Sequence, residues 1–173
     1  MNFKALIIGM AFLAGAFAGS CAARAEDPVS LGAFEDWEAF IYHSEGAAVC
    51  FVLSAPKKTD SDKRISHRDP AHFLVTNFVA RRVKGQISTI IGYPFKEEST
   101  VALKVDDKAF ELYTNGDTAW AAAVDVEASI VKAMKAAKIL SVNGTSVRGT
   151  QTTDYYSMGG FNKALEKIDT ACR

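Results

Sequence analysis

Short apolar segments separated by turn residues fill most of the chain from residue 34 to residue 157. About nine of them have the length of β-strands and are rich in β-branched and aromatic residues. Strong turn signals separate them, such as Asn115-Gly116-Asp117. No regular alternation of strands with helices is present, which argues against a parallel nucleotide-binding sheet. The pattern predicts a β-sandwich or β-barrel.

Two stretches instead have the spacing of amphipathic helices. The first spans residues 124–138. The second follows Ser157, whose hydroxyl is suited to cap the first helical turn. The apolar residues of this terminal helix lie on one face: Phe161, Ala164, Leu165, Ile168 and Cys172.

Three local predictions concern the segments around these elements. Residues 26–31 are expected to be a short polar lead. Residues 56–70 hold one large aliphatic side chain among many charges, which predicts a mobile loop. Asn143-Gly144 is a turn signal and is expected to join the last two strands.

The N-terminus has the three parts of a secretory signal peptide. Lys4 is followed by the apolar run of residues 5–17, and Ala23-Arg24-Ala25 is a small-x-small cleavage site. We expect cleavage after Ala25, which leaves a single β-sandwich domain over residues 26–173 with no transmembrane span. Lipidation at Cys21 is the disfavoured alternative, because a Leu-like residue is missing three positions before it. The predicted location is the periplasm, the outer membrane or the extracellular medium.

Cleavage leaves two cysteines, Cys50 in an apolar strand and Cys172 in the terminal helix. In an exported chain, two thiols form a disulfide more often than a metal site or a nucleophile. A nucleophilic role for Cys50 is further disfavoured, because a thiol in apolar surroundings is poorly reactive. We predict a Cys50–Cys172 disulfide.

Charge excludes one class of partner and indicates another. The chain after Ala25 holds 18 basic and 20 acidic residues, whereas a general nucleic-acid binder would be strongly basic. Positive charge is nevertheless concentrated between residues 57 and 84, where a solvated loop and a contact patch for an acidic macromolecular or envelope partner are both open interpretations. This predicted basic patch consists of Lys57, Lys58, Lys63, Arg64, Arg81 and Arg82.

Catalytic and cofactor signals are weak. His67 and His72 flank Asp69, but no histidine has the spacing of a metal site, and the glycine pairs lack the Gly-Lys-Ser/Thr ending of a phosphate loop. Trp37 and Trp120 fit a core better than a sugar-stacking surface. We therefore expect no cofactor, no metal and no enzymatic activity.

An ordered set of short motifs along the chain resembles the invasion-associated locus B family of exported bacterial proteins. The motifs are Phe34-Glu35-Asp36-Trp37, Cys50 in its strand, Gly92-Tyr93-Pro94-Phe95-Lys96, Gly116-Asp117-Thr118-Ala119-Trp120, Gly144-Thr145-Ser146, Arg148-Gly149-Thr150, Asp154-Tyr155-Tyr156-Ser157, Gly160-Phe161 and Cys172. The resemblance implies an immunoglobulin-like β-sandwich and an envelope or secreted location. It adds no catalytic or binding residues.

Two functions follow as hypotheses. The first is a non-enzymatic envelope or secreted protein that binds a macromolecular partner and contributes to host-cell interaction or invasion. The alternative is a periplasmic envelope-maintenance protein without a host role.

Overall fold

The computed structural model describes residues 27–173, which form eleven strands and two helices. The predicted signal peptide and Cys21 lie outside the described residues. In chain order the elements are β1 (Val29–Phe34), β2 (Trp37–Ser44), β3 (Ala47–Ser54), β4 (Lys58–Ser61), β5 (His72–Phe78), β6 (Val83–Ile90), β7 (Thr100–Val105), β8 (Lys108–Asn115), β9 (Thr118–Trp120), α1 (Val124–Met134), β10 (Ile139–Thr145), β11 (Gln151–Ser157) and α2 (Phe161–Ala171).

All eleven strands belong to one antiparallel sheet, in the order β1-β2-β3-β5-β6-β9-β8-β7-β10-β11-β4. The sheet folds back on itself, so that side chains from its two halves meet in one core. The rings of Phe73 in β5 and Tyr156 in β11 lie 5.9 Å apart there. Where the halves meet, Trp37 Nε1 donates a hydrogen bond to the carbonyl of Ser157 at 2.9 Å. The predicted mainly β class, with one of two helices at the C-terminus, is confirmed.

The predicted number of strands was too low by two, because β1 and β4 gave no recognisable signal. β1 forms by pairing with β2, from Val29 opposite Ile41 to Phe34 opposite Trp37. β4 pairs with β11, with Thr59 opposite Asp154. All four β4 side chains are exposed, so no apolar residue marks this strand. The segment predicted to be a loop therefore begins as an edge strand.

The predicted turn at Asn143-Gly144 is wrong, because both residues lie inside β10 and the turn falls between Thr145 and Gln151. Gly144 is explained by close packing instead of by a turn. A Cβ atom at this position would lie 2.6 Å from Cε1 of Phe95, a core residue. A glycine that makes room for a neighbouring ring is indistinguishable in sequence from a turn glycine.

The predicted buried face of the terminal helix is confirmed for Phe161, Ala164, Leu165 and Ile168. The predicted cap is wrong, because Gly160 occupies the N-cap position without a side-chain hydrogen bond. The structure joins the Sγ atoms of Cys50 and Cys172 and so ties α2 to β3.

Helix α1 packs against β6 and is shorter than predicted, since it ends at Met134. Its buried side includes Ile130 and Met134, as expected, and also Glu127, which is only 5% exposed. Burial raises the pKa of the Glu127 carboxyl, and a hydrogen bond with the Ile87 backbone opposes that shift.

Neither helix of the described chain is both long enough and apolar enough to cross a membrane.

Candidate functional site

A half-open cavity of about 620 Å³ lies at one end of the sandwich. Four chain segments converge there: the one before β5, the one after β6, the β8–β9 turn and the β10–β11 turn. We call this cavity the end pocket. Its lining residues are Arg64, Ile65, Ser66, His67, Asp69, Gly92, Tyr93, Pro94, Gly116, Asp117, Ser146, Val147, Arg148, Thr150 and Thr152.

Gly92 allows the segment before β5 to lie against the end of β6. Its φ of +81° belongs to the left-handed region that favours glycine, and a Cβ atom there would lie 2.0 Å from the carbonyl oxygen of Asp69. The Asp69 N–H donates to the Gly92 carbonyl at 3.0 Å. This wall of the end pocket therefore requires glycine at position 92.

The segment before β5 is also held in place by a buried ion pair between its Arg68 and Asp154 of β11. The Asp154 side chain is 0% exposed and that of Arg68 is 10% exposed. Arg68 Nη1 donates to Asp154 Oδ1 at 2.8 Å, and Nη2 bonds the other carboxylate oxygen. Thr59 adds a third donor at 2.6 Å. The pair joins three separate parts of the chain: β4, the segment before β5, and β11.

Two further contacts hold the Arg68 guanidinium. Its Nε donates to the Ile91 carbonyl at 2.7 Å, and its Cζ lies 5.3 Å from the centroid of the Tyr93 ring. Burial by itself disfavours the charged guanidinium, but the hydrogen bonds and negative charge of Asp154 outweigh it and raise the pKa of Arg68. Arg68 therefore remains a cation beneath the end pocket.

The phenols near this ion pair stay neutral. Burial raises the pKa of Tyr93, against the opposing effect of its hydrogen bond with Thr152. Burial also raises the pKa of Tyr156, with a further contribution from the negative charge of Asp154. The Tyr93 oxygen lies 2.7 Å from the Thr152 hydroxyl and 3.1 Å from the Gly144 carbonyl, so the pocket wall is fixed by hydrogen bonds.

The lining of the end pocket carries charges of both signs. Among residues 27–173, Arg64 and Arg148 make no hydrogen bond or ion pair, and their guanidinium groups are unpaired. The Asp69 carboxylate lies 3.5 Å from His67 Nε2, and Asp117 accepts a hydrogen bond from the Thr118 hydroxyl. Two free cations and two carboxylates with unused lone pairs therefore lie together.

The residues of the predicted basic patch lie in different parts of the structure and do not form one surface. Lys57 is ion-paired with Asp36, and this hydrogen bond lowers the pKa of the Asp36 carboxyl. Lys58 is paired with Asp60 at 2.8 Å. Arg81 and Arg82 follow β5 and so lie at the opposite end of that strand from the end pocket.

Arg64 is the member of the patch that lines the end pocket, and Lys63 lies beside the pocket. Lys63 Nζ donates to the Gly149 carbonyl at 2.8 Å, next to Arg148. Arg148 is not among the predicted binding residues, because it is a single cation in a turn.

The two tryptophans occupy separate environments. Trp37 is fully buried, and its ring lies 4.9 Å from that of Phe161. Trp120 is partly exposed and stacks on Tyr113 with ring centroids 5.7 Å apart. The two rings therefore do not form a shared sugar-stacking surface.

Potential metal-ligating side chains are not clustered in the described part of the chain. Residues 27–173 contain no group of three or more His, Cys, Asp and Glu side chains that could hold a metal ion. His67 and Asp69 form an exposed pair, with 84% and 77% of their side chains accessible.

Comparison with known proteins identifies the family. The family model described as invasion associated locus B (IalB) protein matches residues 37–169, well over half of the chain. The chain belongs to the IalB family. This result confirms the resemblance seen in the sequence motifs.

A solved structure supports the fold of this IalB-family chain. The crystal structure of invasion associated protein B from Bartonella henselae is similar to it with a TM-score of 0.57, covering 83% of this chain and 96% of that one. The sequences are 16% identical, so the similarity shows the fold alone. A comparison with curated proteins finds no match.

Proposed function

We propose that this IalB-family chain is an exported, non-enzymatic envelope or secreted protein that binds an acidic macromolecular partner through the end pocket. The proposal includes a contribution to host-cell interaction or invasion, in keeping with the family's description. The observation that carries it is the pair of unpaired guanidinium groups, Arg64 and Arg148, in a half-open cavity.

Guanidinium groups are suited to this role. A planar guanidinium binds a carboxylate or phosphate through two parallel hydrogen bonds, and it keeps its charge at any physiological pH. The preorganised part of the site is the wall beneath these cations, where Arg68 is bound to Asp154 and Tyr93 is hydrogen-bonded to Thr152. This wall needs no ordering on binding, whereas the exposed Arg64 side chain is ordered by the partner.

Charge reversal with a matched control tests this proposal. Arg64→Glu/Arg148→Glu removes the two pocket cations, whereas Arg81→Glu/Arg82→Glu makes the same change in net charge at the far end of β5. We expect the pocket variant to lose binding to host cells or envelope fractions and the control to retain it. Equal loss in both variants, or retention in both, would contradict binding through the end pocket.

A periplasmic envelope-maintenance role is the second candidate, because a disulfide-bonded exported domain fits the periplasm equally well. Protease treatment of intact cells, with a periplasmic protein as control, distinguishes the two. Digestion of this protein while the control survives supports the host role. Protection of both supports the envelope role, and pull-downs would then be directed at envelope partners.

We also propose that residues 1–25 are removed on export and that Cys50 and Cys172 are oxidised in the mature protein. The intact mass of the natively exported protein tests both points. A mass with lipid at Cys21, or with two free thiols, would contradict them.

A further inference from the structure

The composition of the end pocket narrows the chemistry of its ligand. Two free cations, Arg64 and Arg148, explain attraction for an acidic partner. They do not explain why Asp69 and Asp117 line the same cavity. A ligand whose only feature is dense negative charge, such as a polyphosphate or a sulfate-rich chain, would be repelled by these carboxylates.

Carboxylates in a binding pocket are suited to neutral hydroxyl donors. An ionised carboxylate accepts hydrogen bonds through two oxygens with about four lone-pair sites. The Asp69 carboxylate has only a 3.5 Å contact with His67, and the Asp117 carboxylate accepts one hydrogen bond from the Thr118 hydroxyl, so both have unused acceptor capacity. Unpaired cations and available acceptors together fit a molecule that carries both a carboxylate and hydroxyl groups.

Part of the remaining lining of the pocket is apolar and suits one face of a ring, beside the polar side chains of Ser66, Thr150 and Thr152. Ile65 and Val147 are 37% and 57% exposed and line the same cavity. Pro94 is also exposed, and Tyr93 contributes part of the wall. Such side chains can cover the C–H face of a sugar ring. The volume of about 620 Å³ lies within the usual range of small-molecule sites, which is about 300–1,000 Å³.

We propose that the end pocket binds an acidic sugar residue, a hydroxylated ring that carries a carboxylate, within a glycan. Arg64 and Arg148 bind the ring carboxylate, Asp69 and Asp117 accept from its hydroxyl groups, and the exposed aliphatic side chains cover one ring face. This inference rests on the proposed function, since it names the chemical class of the acidic partner.

Titration of the exported, disulfide-bonded protein with defined probes tests this inference. The probes are the methyl glycosides of glucuronic acid and N-acetylneuraminic acid, neutral methyl glucoside, and citrate as an acidic non-sugar. Chemical-shift changes at pocket amides report where each probe binds. We expect both acidic sugars to bind at least about tenfold more tightly than methyl glucoside, as loss of a charge-assisted hydrogen bond implies.

Two variants separate the roles of charge and hydroxyl recognition. Arg148→Gln should weaken acidic-sugar binding about tenfold or more, whereas Arg81→Gln should leave it unchanged. Asp117→Asn should weaken acidic-sugar binding several-fold while strengthening citrate binding, because it removes both an acceptor and a repulsive charge. Stronger binding of the acidic sugars by Asp117→Asn would overturn the hydroxyl role.

Two further probes test the sugar assignment separately from the proposed function. Poly-glutamate and vesicles rich in phosphatidylglycerol serve as acidic partners that are not sugars. If either binds through the end pocket while the acidic sugars do not, the sugar assignment is wrong and the proposed function stands. If none of these probes binds and the charge-reversed variant still binds cells, both are wrong.

Discussion

Breaking the ion pair between Arg68 and Asp154 should destabilise the fold more than any exposed substitution. Asp154 is 0% exposed and has three donors, two of them from Arg68. Arg68→Met leaves this carboxylate buried with the Thr59 hydroxyl alone, a situation that costs about 3–5 kcal/mol. The Ile91 carbonyl also loses its 2.7 Å donor, which adds about 1 kcal/mol.

The partner substitution should be milder. Asp154→Asn keeps the shape of the side chain, and Arg68 retains its contacts with the Ile91 carbonyl and the Tyr93 ring. We expect a loss of about 3 kcal/mol, at the lower end of the range for breaking one partner of a buried pair. The double variant Arg68→Met/Asp154→Leu removes both charges, and replacement of a buried pair by apolar residues is often close to neutral. It should be more stable than Arg68→Met alone.

Urea denaturation of the disulfide-bonded protein at 25 °C measures these free energies, and equal m-values confirm that compactness is unchanged. Lys57→Met is the matched control, because it removes a cation from the exposed pair with Asp36. The control should lose less than about 1 kcal/mol. If Arg68→Met loses as little as the control, or if the single losses simply add in the double variant, the buried pair does not anchor this segment.

Three other perturbations test separate parts of the fold. Replacing Cys50 and Cys172 by Ala should lower the free energy of unfolding by about 5 kcal/mol in the chain-entropy model for a sequence separation of 122, and unchanged urea stability would contradict this. Burial raises the pKa of the Glu127 carboxyl, so the folded state binds this proton more tightly than the unfolded state does. The resulting stabilisation is fully present below the unfolded pKa and is lost as the pH rises through the folded pKa. Glu127→Gln should therefore raise stability at pH 7 by about 1 kcal/mol or less and leave it unchanged at pH 4, whereas the exposed Asp125→Asn should show no such difference in thermal melts. Gly144→Ala should cost about 1–3 kcal/mol, because the added methyl group meets a core ring at 2.6 Å, and a variant as stable as the parent would contradict that packing.

Sequence reasoning predicted the elements that are organised by burial. The alternation of Thr100–Val105 and the single apolar stripe of α2 identify these elements, because each must present one face to a core. β4 could not be predicted in this way. Its side chains are all exposed, and its conformation comes from pairing with β11, a partner about ninety residues away in sequence.

The candidate site was only partly predictable for the same reason. Arg64 was predicted from the local concentration of charge. Arg148 lines the same cavity but lies in the β10–β11 turn, far from Arg64 in sequence. One signal was available and unused: Thr152, Asp154 and Tyr156 alternate in a strand and all face inward. A carboxylate at an inward-facing position is costly unless a cation or several hydrogen-bond donors satisfy it. Sequence alone does not show which residues are the partners of Asp154.

The disulfide has a consequence for any experiment that cuts the protein. Residues 57–67 form the longest continuous run of exposed residues between Cys50 and Cys172, and residues 62–67 of this run follow β4 outside any strand or helix. A protease that cleaves there leaves one fragment with each cysteine, and the sulfur–sulfur bond keeps the two fragments together. A nicked molecule would therefore migrate as an intact chain on a non-reducing gel and separate only after reduction. Cleavage of this protein at the cell surface therefore has to be assayed on a reducing gel.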